Sequence, residues 1–149
     1  MNLNELTQRL IDIESVTGDE QELINFIESF LLDSGYKGNI FKDEGGLIVN
    51  IPDSNPKIAL VGHLDTVPIH ESQKNYSDEE NIYGRGAVDM KAGVAVMIQT
   101  ILDERDNVVG VFYTGEEGTP EQNGLNNLMS KLKEDFSIEL AIVMEPSSL

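Results

Sequence analysis

The chain has 149 residues, enough for one sizeable hydrophobic core, and 27 acidic side chains against 10 Lys and Arg give a formal net charge of −17. That balance argues against binding nucleic acid or anionic membrane, which needs clustered cations, and 40% hydrophobic residues argue against a disordered polyanion. With no cysteine, neither a disulfide framework nor a thiolate metal site can form.

The opening MNLNELTQRL lacks the basic stretch and apolar core of a secretion signal, and no apolar run reaches membrane-span length, so the cytoplasm is the expected location. Leu3, Leu6, Leu10 and Ile13 recur at three and four residues and predict an amphipathic helix. Ser15–Asp19, with Gly18, interrupts it; the Ser15-Val16-Thr17-Gly18 turn can serve packing or lie at the mouth of a site. Leu23, Ile24, Ile27, Phe30 and Leu31 predict a second helix that stops before Ser34-Gly35, where glycine suits a C-terminal cap. Two strands, Tyr36–Phe41 and Leu47–Ile51, are joined through Asp43-Glu44-Gly45-Gly46 as a hairpin. Asp53–Pro56 reads as a turn.

Ile58, Ala59, Leu60 and Val61 form an uninterrupted apolar run of strand type, followed by Gly62 and then by His63 and Asp65 two positions apart. Residues i and i+2 of an extended chain face the same side. The pair reads either as a polar closure of the strand or as a metal-ligating imidazole whose second nitrogen is held by a carboxylate. Ile69–Glu80 is polar and reads as a loop in which His70 is exposed.

In YGRGAVDMKAG (Tyr83–Gly93), Gly84 and Gly86 relax the backbone, Asp89 follows, and Val94, Met97, Ile98, Ile101 and Leu102 mark a helix that closes over Asp103–Asn107. Asp89 can be a helix cap or a ligand. The glycine spacing matches neither phosphate-binding pattern. Val108–Tyr113 reads as a buried strand ending in Thr114-Gly115-Glu116-Glu117-Gly118, so two adjacent carboxylates emerge at a strand terminus ahead of a helix from Pro120 to Lys133. Neighbouring side chains point differently, so one can face a metal and the other a reacting water. Leu140–Met144 reads as a further buried strand with Glu145-Pro146-Ser147-Ser148 at its end. This order predicts an α/β domain of three layers, α/β/α, with a mixed, mainly parallel central sheet. One histidine with several carboxylates is an oxygen-rich donor set suited to zinc, cobalt or manganese as a pair of bridged ions.

The stretches GHLDTVP, GRGAVDMKAG, GEEG and MEPSS, in this order, resemble the signatures of the dinuclear zinc aminoacylase and desuccinylase family, which includes acetylornithine deacetylase, glutamate carboxypeptidase and succinyl-diaminopimelate desuccinylase. The resemblance runs over nearly the whole chain. The short loop between Pro68 and Tyr83 and the run GEEGTPEQNGLNNL are most similar to the desuccinylase branch. By this resemblance His63 would bind the first of two metal ions, Asp65 would orient His63, Asp89 would bridge the ions, Glu117 would bind the second and Glu145 the first. Glu116 would be the general base. A non-proline cis peptide after Asp89 is implied as well. The substrate implied is a small N-acyl amino acid, foremost N-succinyl-diaminopimelate giving succinate and diaminopimelate, with other deacylase or peptidase substrates as alternatives.

Family members continue beyond a domain of this size, with a lid or dimerisation domain and the rest of the catalytic domain. Residues 1–149 are thus expected to be a truncated, N-terminal portion of a catalytic domain, lacking the final histidine of the second metal site and most substrate-binding cations. Full-length members are expected to form homodimers. Two readings stay open: a zinc amidohydrolase completed by the missing half, and an acidic metal-binding domain that keeps the fold without turnover.

Overall fold

The computed structural model of the chain describes residues 1–50, 58–70, 73–104, 107–131 and 138–147. The expected turn at Asp53–Pro56, the last two residues of the helix expected to run to Lys133, and Ser148 lie outside the described residues.

Asn2 opens α1 (Leu3–Asp12) by a reciprocal cap: its side chain accepts the Glu5 N–H at 2.9 Å, and the Glu5 carboxylate accepts the Asn2 N–H at 2.9 Å. Leu6, Leu10 and Ile11 of this helix are buried. The second helix, α2 (Gln21–Asp33), buries Leu23, Ile24, Ile27 and Leu31. It ends as the sequence predicts, with Gly35 at φ +80° and the N–H groups of Gly35 and Tyr36 closing onto Leu32 and Leu31 carbonyls at 3.0 Å each.

Strands β1 (Ile40–Asp43) and β2 (Gly46–Val49) form the expected hairpin, tightened by Asp43 Oδ1 accepting the Gly45 N–H at 2.8 Å. β1 starts four residues later than predicted. Tyr36 is instead buried in the connection, packed against the helical core, and β2 ends at Val49, with Asn50 at φ 65° and Ile51 of the expected strand outside the described residues. After β3 (Ile58–His63) the region read as a loop contains a small exposed hairpin, β4 (Tyr76–Ser77) with β5 (Ile82–Tyr83), whose Tyr76 and Tyr83 rings stack at 4.5 Å. A kinked turn at Ala87–Lys91, non-helical at Asp89 and Met90, leads into α3 (Ala92–Asp103); then follow β6 (Val108–Tyr113), α4 (Leu125–Lys131) and β7 (Leu140–Val143).

The sheet order is β1-β2-β6-β3-β7, with β6, β3 and β7 parallel and the β1–β2 hairpin antiparallel to β6. On one face α1, α2 and α3 cover Leu47, Val49, Leu60, Val108 and Phe112; on the other, Leu125 and Leu128 of α4 pack on Ile48, Ala59, Val109 and Val111. This is the expected three-layer arrangement. All six residues of β6 are buried, which is why VVGVFY is continuously apolar rather than alternating. Met97, Ile98 and Ile101 of α3 are each fully buried, and burial of such a side chain contributes roughly 1.5–3 kcal/mol.

The chain runs from β3 through α3 to β6 on one side, then through α4, on the opposite face, to β7 on the other side of β3. That reversal opens a crevice at the carboxyl ends of β3, β6 and β7, where open α/β sheets hold their ligands.

Two expectations are corrected. The helix read from Pro120 begins at Leu125, because Pro120–Gln122 forms a turn and Asn123 Oδ1 accepts the Leu125 N–H at 3.0 Å. β7, read as buried, is exposed along its length: Leu140 is 52% exposed, Ile142 41% and Val143 57%. It lies at the margin of the sheet, paired to β3 on one side. Among the described residues, no helix is long and apolar enough to cross a membrane.

Candidate metal centre

His63 is the last residue of β3 and is 1% exposed. Its Nδ1 lies 2.9 Å from the main-chain carbonyl of Asp65 and 3.4 Å from the Asp65 carboxylate. Both partners can only accept, so Nδ1 carries the proton and Nε2 faces the crevice. There Nε2 meets Asp89 Oδ1 and Glu145 Oε1 at 3.0 Å each.

Asp89 reaches this position from the turn ahead of α3, where its backbone is non-helical (φ −118°, ψ 98°) and the Asp89–Met90 peptide is cis. It is not a helix cap: the residue preceding α3 is Lys91, which makes no side-chain capping bond. The Met90 sulfur below it accepts the His63 N–H at 3.3 Å, tying the turn to β3. Glu145 hangs two residues beyond β7, whose pairing is continued by the Met144 N–H donating to the Val61 carbonyl at 2.9 Å.

The paired glutamates follow β6. Asp65 receives their backbone: its carboxylate accepts the Glu116 N–H at 3.0 Å, the Glu117 N–H at 2.9 Å and the Thr17 hydroxyl at 2.8 Å. Two groupings of metal-ligating atoms result, His63 with Asp89 and Glu145, and His63 with Glu116 and Glu117, each with its atoms within 4.8 Å of one another. All six residues singled out in the sequence therefore converge on one crevice. A cavity of about 210 Å³ opens beside it, lined by Thr66, Arg85, Val88, Asp89 and Glu117. His70 is exposed in its loop and belongs to neither grouping.

The electrostatics are those of a site short of positive charge. Burial alone would lower the His63 pKa, but the bond to Asp65, the charges of Glu145 and Asp65 and the contact with Asp89 outweigh it and push it up to about 9. For Asp65 burial would raise the pKa; the bonds from His63, Glu116, Thr17 and Glu117 win and hold it below the usual range. Glu117 is raised by burial and by the charge of Asp89, and Glu145 by burial and by Asp89 and Glu116, in both cases against the opposing pull of His63. Beneath them the Tyr113 phenol, its ring edge-on to His63 at 6.1 Å, is pushed up to about 12 by burial and by Glu116, Glu145, Asp65 and Asp89. A divalent cation held by these carboxylates and His63 would relieve this crowding. One imidazole nitrogen among carboxylate oxygens is a donor set that fits zinc, cobalt or manganese.

Three neighbours of the site were not legible as such. Tyr113 reads as a core strand residue. Lys91 is 2% exposed, its Nζ donating to the Ile13 carbonyl at 2.6 Å, and burial depresses its pKa to about 8 against the pull of Glu14 and Asp12. Its signal was a lone cation at the start of an apolar helix. Thr17 is the third, in a turn whose place near a site the sequence leaves undecided.

A sequence profile of peptidase family M20/M25/M40 matches residues 59–149, the part of the chain that carries all six residues. The chain belongs to that family. Among its relatives is the succinyl-diaminopimelate desuccinylase of Corynebacterium glutamicum, 30% identical over 95% of this chain and 41% of that protein. This family member spans about two fifths of the length of the curated relatives it matches. Its fold is shared with an aminopeptidase from Bacillus cereus, at a TM-score of 0.71 and 20% identity over 98% of this chain and 43% of that one. A Bacillus subtilis protein described as a dinuclear metal binding peptidase from the M20 family matches at a TM-score of 0.53 and 20% identity, over 77% of this chain and 35% of that one.

Proposed function

We propose that this chain is the N-terminal portion of the catalytic domain of a two-metal amidohydrolase that cleaves N-succinyl-diaminopimelate to succinate and diaminopimelate, in the cytoplasm. The observation that carries the reading is the meeting of His63 Nε2 with Asp89 and Glu145 at 3.0 Å each, three side chains from separate segments around one point. The names of the relatives support the substrate, and the span of about two fifths of their length supports the partial domain.

His63, Asp89 and Glu145 would hold the first ion, and Asp89 with Glu117 the second. When bound, two such ions acidify a water and polarise an amide carbonyl. Asp65 fixes the imidazole through Nδ1 and, through its carboxylate, fixes the backbone of both glutamates. Glu116 takes a proton from the water as its oxygen bonds to the carbonyl carbon; as the carbon–nitrogen bond breaks, that proton passes to the departing amine.

The test is zinc calorimetry on the chain and on Asp89→Ala, with hydrolysis of N-succinyl-diaminopimelate measured alongside. Binding that collapses in the variant supports the shared site, and turnover lost in Glu116→Gln by about 10²-fold or more supports the general base. Binding equal in the wild type and Asp89→Ala overturns the reading. A second reading, metal binding without turnover, is favoured by His63 being the sole histidine in either grouping among the described residues; zinc bound with no succinate released would select it.

A further inference from the structure

We infer that Thr17 is a positioning residue for the glutamate pair, acting through Asp65. The inference rests on the two-metal reading for its functional meaning, but its structural basis stands apart from any ion. Thr17 lies outside residues 59–149, the span matched by the family profile.

Asp65 is the hub of the centre, and its carboxylate has three donors within 3.0 Å. Two are the N–H groups that set the course of the Glu116–Glu117 turn. The third is the Thr17 hydroxyl, the only one of the three supplied by a side chain. It bonds Oδ2, the same oxygen that receives the Glu117 N–H. A carboxylate rotates about its last bond unless its oxygens are claimed by fixed donors; Thr17 claims Oδ2 from a segment separate from the turn's own backbone.

The segment carrying Thr17 is itself anchored. Thr17 N–H donates to the Thr66 carbonyl at 3.1 Å, Thr66 N–H donates to the Ser15 carbonyl at 2.9 Å, and the Ser15 hydroxyl donates to the Leu64 carbonyl at 2.8 Å. Lys91 Nζ holds the Ile13 carbonyl just upstream. These bonds lash residues 13–17 alongside Leu64–Thr66, so the hydroxyl arrives at Asp65 from a fixed base.

The methyl of Thr17 has its own contact. A Cβ built on Gly118 would lie 2.8 Å from Thr17 Cγ2, so the far end of the glutamate turn rests against the same side chain whose hydroxyl holds Asp65. Thr17 thus bonds the carboxylate that holds the near end of the turn and lies close to Gly118 at its far end. Threonine meets both demands; valine keeps the shape without the hydroxyl, and serine keeps the hydroxyl without the methyl.

The experiment compares wild type, Thr17→Val and Thr17→Ser by amide hydrogen exchange in the metal-free chain and by zinc calorimetry. Loss of one charge-assisted bond is expected to speed exchange at Glu116 and Glu117 by about tenfold and to weaken zinc by a similar factor in Thr17→Val, with both largely restored in Thr17→Ser. The amides of Val108–Tyr113 serve as the control for folding and are expected to keep their protection. Unchanged exchange at both glutamates in Thr17→Val overturns the inference, as does a Thr17→Ser chain as impaired as Thr17→Val. Should Thr17→Val unfold, Gly118→Ala probes the same contact from the other side, and exchange at Glu117 equal to wild type there is equally fatal. If the wild type binds no zinc, the two-metal reading fails, while the exchange comparison still decides the place of Thr17.

Discussion

The Nε2 atom of His63 lies 3.0 Å from Oε1 of Glu145, with Asp89 Oδ1 at the same distance. With Nδ1 already committed to Asp65, an unprotonated Nε2 would confront two carboxylates with a lone pair. Together with the bond to Asp65, which raises the pKa most, and the charge of Asp65, these two contacts favour the imidazolium against burial and bring the pKa to about 9.

Metal and proton therefore compete for one nitrogen. Zinc affinity is expected to rise by about tenfold per pH unit up to about pH 9, with close to one proton released from His63 on binding. Calorimetry in buffers of different ionisation enthalpy measures that release. Affinity that stays flat from pH 6.5 to 9 would contradict it.

Without metal, the same group links stability to alkaline pH. The His63 pKa is raised from 6.5 to about 9, so its contribution is complete below pH 6.5 and is lost as pH climbs through 9. Lys91 has the opposite sign: its pKa falls from 10.5 to about 8, the folded chain binds fewer protons between those values, and stability recovers across that window. Urea denaturation from pH 6 to pH 10 should show the falling limb in wild type and a shallower one in His63→Gln. An equal slope in both would remove His63 as the cause.

Removing the Asp65 carboxylate strands two backbone N–H groups and the Thr17 hydroxyl. Asp65→Ala is expected to lose roughly 2–4 kcal/mol of stability in the metal-free chain. A loss below about 0.5 kcal/mol in a denaturant titration would mean that water replaces all three acceptor bonds at little cost.

Gly46 has φ +127°, and a Cβ there would overlap the Phe112 carbonyl oxygen, a backbone atom locked in the β2–β6 ladder. Gly62 has no such constraint on φ, and a Cβ there meets the side-chain ends of Met90 and Met97, which are buried but more adaptable than a backbone carbonyl. Gly46→Ala is expected to cost about 3 kcal/mol or more and Gly62→Ala clearly less. Thermal melts that rank the two in reverse order would refute the comparison.

The apolar margin at β7 should make this chain self-associate. Leu140, Ile142 and Val143 carry no charge to blunt strand pairing. Association is expected to strengthen with salt, which screens a net charge of −17, and to weaken in Ile142→Lys. Sedimentation at two ionic strengths is the measurement, and a monomer at both would argue that the margin is inert.

The parallel strands were legible because β3 and β6 are apolar without alternation, as burial on both faces requires. The site was legible because its side chains stand where those strands end: His63 closes β3, the glutamate pair follows β6, and Glu145 follows β7. Exposure of β7 was not, since LAIV reads the same whether or not another layer covers it. Nor was the β4–β5 hairpin, because each of its strands is only two residues long, too short for an alternation to read, and both lie within a mostly polar stretch. Thr17 escaped because hydrogen bonds made across 48 positions leave no local periodicity to read.

Glu145 hangs from an exposed strand at the sheet's margin, whereas His63 and Asp65 are buried at the end of an inner strand. An ion shared by His63 and Glu145 would fasten that margin to the middle, so the free energy of coordination would also be the free energy that keeps the last strand from peeling away. Loss of metal and fraying of β7 would then be one event seen from two ends, each provoking the other.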